Sequence, residues 1–155
     1  MGTKPVKVGD KVKDFILESS SGKKINTADL KGKKILLSFH PLAWTGVCAK
    51  QMQSVDRNYD KFIALNTVPF GINIDSQPSK AAWAKELKLK HLDLLADFWP
   101  HGGVAADLGI FLEKFGFSGR VNIIIGENRK VEFIKIYPIP QLPEIAEVLK
   151  FLAKG

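Results

Sequence analysis

The chain of 155 residues is 45% hydrophobic and 25% charged, a soluble globular composition, long enough to bury about two-thirds of the surface its unfolded chain exposes. No apolar run approaches the ~18 residues that span a bilayer, so membrane-spanning and disordered chains are both excluded. The net charge of +7 raises nucleic acid as a partner, but only Arg57, Arg120 and Arg129 are arginines and the lysines are scattered singly or in pairs, so no nucleic-acid partner is expected.

Met1 to Asp10 has no apolar stretch of the secretory kind, and Gly2 lacks the Ser or Thr at position 6 of a myristoylation site, so a cytoplasmic protein is expected. Phe15 to Glu18 and the segment after Ser20-Ser21-Gly22 read as a small hairpin. Lys34 to Phe39 is a near-continuous apolar run, the pattern of a strand covered on both faces, and Pro41 stops it. Beyond the loop Pro41 to Gly46, Cys48, Met52, Val55, Tyr59 and Phe62 recur at spacings of 4, 3, 4 and 3, the stripe of a helix with one buried face. Val68 to Ile74 reads as a second buried strand, with Ser79 as the cap of a helix from Lys80 to Leu87. Val121 to Ile125 and Lys130 to Tyr137 flank a turn at Gly126 to Arg129, and Pro143 opens a last helix reaching about Lys154. Strands alternating with helices, followed by a hairpin and a helix, predict a single domain over residues 1–155, an α/β sandwich on a mixed sheet.

Cys48 is the only cysteine, which excludes an intrachain disulfide and a thiolate zinc cluster. A lone cysteine on an apolar helical stripe is by default a small buried hydrophobe. Its place in the first turn after a strand and a tight loop argues for more, because unpaired backbone N–H groups and the positive end of the helix dipole stabilise a thiolate there. Thr45, three residues earlier, either offers its hydroxyl to the same small volume or caps the helix, or does both.

Pro41-Leu42-Ala43-Trp44-Thr45-Gly46-Val47-Cys48 resembles the P-x-x-x-T-x-x-C motif of peroxiredoxins, the alkyl hydroperoxide reductase and thiol-specific antioxidant family. Gly71 to Ser79 with Trp83 is similar to the strand and D-S-x-x-S segment of that family, and Leu94 to Pro100 to the stretch before its short helix. Gly119-Arg120 falls where its active-site arginine precedes a strand. The resemblance runs from about Val8 to Leu152 and implies a thioredoxin-like fold with an N-terminal β-hairpin extension and an insert. A plain thioredoxin is excluded by the absence of C-x-x-C and by Gly119-Arg120 standing where thioredoxins carry a proline.

What the resemblance implies for function is a thiol-dependent peroxidase acting on hydrogen peroxide and organic hydroperoxides. Cys48 would be the nucleophile, Thr45 and Arg120 its activators, and Pro41 a shield against water. Acidifying a thiol by about three units raises its thiolate fraction at pH 7 roughly 30-fold but costs roughly 20-fold in nucleophilicity. Fast peroxide reduction must then come from alignment and from donors placed where charge grows on the departing oxygen.

The positions of the family's resolving cysteines hold other residues, Gln53 among them, which implies a one-cysteine type recycled by an external low-molecular-weight thiol or a thioredoxin-like protein. Gln51 stands where many members place a glutamate that orients the arginine. His40, beside Pro41, either sits near Cys48 or is a strand-end histidine bonded to backbone. His91 and His101 have no metal-ligand spacing, and neither a metal nor another cofactor is expected. Trp44, Phe98, Trp99 and Phe111 favour a homodimer through these loops. The alternative functions are a peroxide sensor or holdase that does not turn over, and an inert thioredoxin-fold binding module.

Overall fold

A computed structural model of the protein describes residues 4–155, so Met1–Thr3, including Gly2 and the start of the segment read as lacking a leader, lie outside the described residues. The elements in chain order are β1 (Ile16–Ser19), β2 (Lys24–Asn26), a 3-10 turn (Thr27–Leu30), β3 (Lys34–Phe39), α1 (Gly46–Arg57), α2 (Tyr59–Ala64), β4 (Thr67–Asn73), α3 (Gln77–Glu86), β5 (Asp93–Ala96), α4 (Gly103–Asp107), β6 (Phe111–Leu112), β7 (Phe117–Ser118), β8 (Arg120–Ile125), β9 (Val131–Tyr137) and α5 (Ile145–Ala153). Seven strands form one mixed sheet in the order β2-β1-β5-β4-β3-β8-β9, and β6 pairs with β7 apart from it. β3, β4 and β5 run parallel, while β8 closes antiparallel on β3 and β1 antiparallel on β5. This is the thioredoxin-like α/β sheet with the expected N-terminal hairpin, β1 to β2.

The alternation of side chains along β3 and β8 builds two cores. Ile35, Leu37 and Phe39 of β3 join Val121, Ile123 and Ile125 of β8 in one cluster, with Val104 and Ala105 of α4. Leu36 and Ile124 lie in the other, with Cys48, Met52 and Val55 of α1, Trp83 of α3 and Ile145, Val148 and Leu152 of α5. The register pairs Ser38 with Asn122, which puts Ser38, Asn122 and Arg120 on the same face as the cysteine.

Three boundaries differ by more than one residue from the sequence reading. The stripe from Cys48 to Phe62 is carried by two helices rather than one, because the Asn58 side chain donates to the Ser54 carbonyl at 2.8 Å, a bond to the preceding turn that competes with helical continuity. Its last apolar residue, Phe62, is still fully buried. α3 starts at Gln77 and its cap is Ser76, not Ser79: the Ser76 oxygen accepts the Ser79 N–H at 3.4 Å, and Pro78 in the first turn has no N–H to satisfy. α5 starts at Ile145, two residues after Pro143. The β6–β7 pair was not anticipated, two-residue strands being too short for a periodic signal.

Close approach of α1 to the sheet depends on Gly71 in β4. A Cβ there would collide with the Met52 sulfur and lie 2.7 Å from a Leu94 methyl. Gly71→Ala is expected to cost about 2 kcal/mol in urea unfolding. Combined with Met52→Ala it should cost at least about 1 kcal/mol less than the sum of the two single changes, because the second removes the clash that the first creates. Simple additivity would show that the contact does not set the spacing.

Candidate active site

The loop from Pro41 to Thr45 turns the chain from the end of β3 into α1. Pro41 and Ala43 are buried, and Trp44 takes a left-handed φ of 68°, a conformation rarely adopted by a bulky residue. Two bonds hold it there. The Ala43 N–H donates to Asp75 Oδ2 at 2.8 Å, and Trp44 Nε1–H donates to the Ser79 hydroxyl at 3.2 Å. Thr45 is the extended residue before the helix, and its carbonyl accepts the Ala49 N–H at 2.9 Å. Its hydroxyl does not cap the helix. It donates instead to the Leu42 carbonyl at 2.8 Å, so the capping alternative is not the job of this side chain, and no hydrogen bond joins it to Cys48.

Cys48 is the third residue of α1, 1% exposed, in the turn whose backbone N–H groups have no helical partner. Arg120, 3% exposed at the start of β8, points its guanidinium at the sulfur, with Nη1–H donating to Sγ at 3.3 Å. The same nitrogen donates to Gln51 Oε1 at 2.8 Å, and Nε–H donates to the Ile139 carbonyl at 2.7 Å. Gln51, one helical turn after Cys48, is fixed through its amide nitrogen, which donates to the Ser38 hydroxyl at 2.8 Å and the Phe39 carbonyl at 3.0 Å. A neutral amide thus orients the arginine in place of the expected glutamate. Among the described residues no carboxylate comes within ion-pair distance of Arg120. A buried guanidinium is costly without a counter-charge, and the ionisable side chain it touches is Cys48.

Behind these residues the polar chain continues. Ser38 donates to Asn122 Oδ1 at 2.7 Å, Asn122 Nδ2 reaches the Tyr137 hydroxyl at 3.4 Å, and Tyr137 donates to Glu147 at 3.1 Å. Sequence reasoning passed over Ser38 and Asn122, although a polar residue inside each of two apolar strands was the available signal.

His40 is fully buried. Its Nδ1 faces the Ser38 carbonyl at 3.4 Å, its Nε2 faces Lys80 Nζ at 3.4 Å, and its ring packs 5.4 Å from that of Trp83. Burial first, and then the Lys80 ammonium, hold its pKa well below the ordinary histidine value. The ring is therefore neutral, with Nδ1–H donating to backbone and Nε2 accepting. His91 stacks on Tyr59, and His101 Nε2 bonds the Gly116 carbonyl at 2.7 Å. Of the four aromatics grouped by sequence, Trp44, Phe98 and Trp99 are 55, 49 and 80% exposed, but Phe111 is partly buried and packs against the core.

Comparison with known proteins shows the family of the chain. The family model described as AhpC/TSA matches residues 8–134. Alkyl hydroperoxide reductase E of Mycobacterium tuberculosis is 28% identical over 130 residues, 83% of this chain and 84% of that protein. A peroxiredoxin of Thermoplasma volcanium is 30% identical over 154 residues, 96% of this chain and 74% of that protein. The crystal structure of Enterococcus faecalis AhpC superposes with a TM-score of 0.88 over 95% of this chain and 90% of that one, at 22% identity, a likeness of fold. A match across most of the chain, on the same fold and with a single cysteine at a helix start, places the protein in the AhpC/TSA family of peroxiredoxins, the thiol peroxidases.

Proposed function

We propose that the protein reduces hydrogen peroxide and organic hydroperoxides at Cys48 and is returned to its starting state by an external thiol. The observation that carries this reading is the Arg120 Nη1–H bond to Cys48 Sγ at 3.3 Å, made where the guanidinium has no carboxylate partner among the described residues. A thiolate completes that charge pair, and a thiolate is the nucleophilic form.

The Cys48 thiolate attacks the terminal oxygen of the hydroperoxide. The S–O bond forms as the O–O bond breaks, and the departing alkoxide or hydroxide takes up a proton to leave as alcohol or water, with Cys48 as sulfenic acid. Arg120 and the first-turn N–H groups of α1 supply donors for the charge growing on the departing oxygen, each such donor being worth ~3 kcal/mol. The Thr45 proton is committed to the Leu42 carbonyl, so its oxygen is left to accept the hydroperoxyl O–H and align the O–O bond. Pro41 keeps water from the sulfur, so that these interactions act in a lower dielectric.

An external thiol then condenses with the sulfenic acid, releasing water and leaving a mixed disulfide, which a second external thiol reduces to regenerate Cys48. The chain holds no second cysteine for this step. The reductant is therefore a low-molecular-weight thiol or a thioredoxin-like protein. The exposed Trp44, Phe98 and Trp99 support a homodimer in which a second copy covers these loops.

In stopped flow with hydrogen peroxide, followed by tryptophan fluorescence and intact mass, one oxygen should be added to Cys48 at a rate at least a thousandfold above that of a free thiol. Cys48→Ser should abolish it, and a rate like that of a free thiol would overturn the function. Thr45→Val and Arg120→Met should each slow the attack by at least tenfold with unfolding midpoints near wild type; rates within twofold of wild type would refute their roles. Without added thiol, peroxide consumption should stop at one equivalent per chain, and sustained consumption would show that no external reductant is required. Trp99→Ala should shift sedimentation from dimer to monomer, and a monomeric wild type would remove the interface.

A further inference from the structure

Beside the peroxide site lies a second buried cation that the chemistry above does not use. Lys80, in the first turn and a half of α3, has no solvent exposure, and among the described residues no carboxylate lies within ion-pair distance of its ammonium. Nζ donates to Asn73 Oδ1 and to His40 Nε2, and it lies 5.9 Å over the Trp83 ring. Asn73 in turn donates through Nδ2 to Asp75 Oδ2 at 2.6 Å, the same oxygen that accepts the Ala43 N–H of the catalytic loop. Lys80 is therefore joined to the loop before α1 through Asn73 and Asp75, and it meets His40, the residue between β3 and Pro41.

We propose that Lys80 is a positioning residue of the peroxidase site, a second buried cation that, together with Arg120, holds Cys48 as its thiolate. This rests on the reading of Cys48 as nucleophile. A buried lysine is costly, and it is retained where negative charge repays its desolvation. The charged groups that bear on it are Asp75 after β4, Cys48 on α1 and Asp97 after β5, which favour the ammonium, whereas His40 is neutral and Arg120 on β8 adds a small push to lower the His40 pKa. Asp75 and Asp97 are already engaged, Asp75 by Ala43 and Asn73, and Asp97 by the N–H groups of Val104 and Ala105. Burial outweighs all three attractions and pulls the Lys80 pKa from 10.5 down to about 7.

The coupling is reciprocal. As far as a Cys48 thiolate favours the Lys80 ammonium, the ammonium favours the thiolate. When peroxide converts the thiolate to a neutral sulfenic acid, Lys80 loses one of its three negative neighbours, and its proton is held less tightly.

Lys80→Met keeps the length of the side chain and removes the charge. In stopped-flow oxidation by hydrogen peroxide from pH 5 to 9, the acid limb of the rate profile should move to higher pH by at least half a unit, with at least a threefold loss at the wild-type midpoint. At the alkaline plateau the rate should stay within twofold of wild type. An unmoved limb, or an equal loss at every pH, would overturn the proposal and leave Lys80 a structural lysine. A second measurement needs no variant: in wild-type protein labelled with 15N-lysine, the side-chain resonance titrating near pH 7 should shift its midpoint downward after one equivalent of peroxide, and an unchanged midpoint would refute the coupling. If Cys48→Ser keeps its peroxidase activity, the function itself fails. If Cys48→Ser is inactive but Lys80→Met has the wild-type profile, only the role of Lys80 fails.

Discussion

The antiparallel pairing of β3 with β8, in the register that sets Ser38 opposite Asn122, is the constraint on which the rest of the site depends. Because side chains alternate along a strand, this register puts Leu36 and Ser38 with Ile124, Asn122 and Arg120 on the face covered by α1, α3 and α5. A slip of one residue would turn Arg120 toward the α4 face and send an isoleucine into the polar chain. The buried apolar sets on either face, Ile35, Leu37 and Phe39 against Leu36 and Ile124, oppose such a slip, so the hydrophobic packing of the sheet is also what aims the guanidinium.

The buried cationic side chains of this interior, Arg120 and Lys80, are met by uncharged hydrogen-bonding groups. Among the described residues, no buried side-chain nitrogen or oxygen lacks a hydrogen-bond partner. Apart from the Cys48 sulfur, the partners of Arg120 are nevertheless neutral, namely the Gln51 amide oxygen and the Ile139 carbonyl. The nearest partners of Lys80 are also neutral, an asparagine oxygen and an imidazole nitrogen. A glutamate at position 51 would take up part of the arginine's charge. Glutamine keeps the orientation without taking up that charge.

The loop before α1 shows how few bonds this requires. Asp75 Oδ2 holds both the Ala43 N–H and the Asn73 amide, and Ser79 holds the Trp44 indole. The segment after β4 thus shapes the loop after β3. Parallel pairing of β3 with β4, Phe39 beside Ile72, brings the two segments together at the same end of the sheet, where side chains following parallel strands converge.

Much of this was legible in the chain itself. Apolar runs and helical stripes located the principal strands and helices, and the strand-loop-helix placement of Thr45 and Cys48 marked the cysteine as more than a core residue. The spacing of Pro41, Thr45, Cys48 and Arg120 carried the family resemblance. Periodicity, however, reports which face of an element is buried and not what covers it. The break at Asn58, the cap at Ser76 and the bond from Thr45 to the Leu42 carbonyl were each decided by short-range polar competition that no hydrophobic pattern records. The placement of Gln51 against Arg120, and of Lys80 against His40, joins residues 69 and 40 positions apart. Only strand order and register bring such pairs together, because the backbone hydrogen bonds that set them depend on the whole sheet.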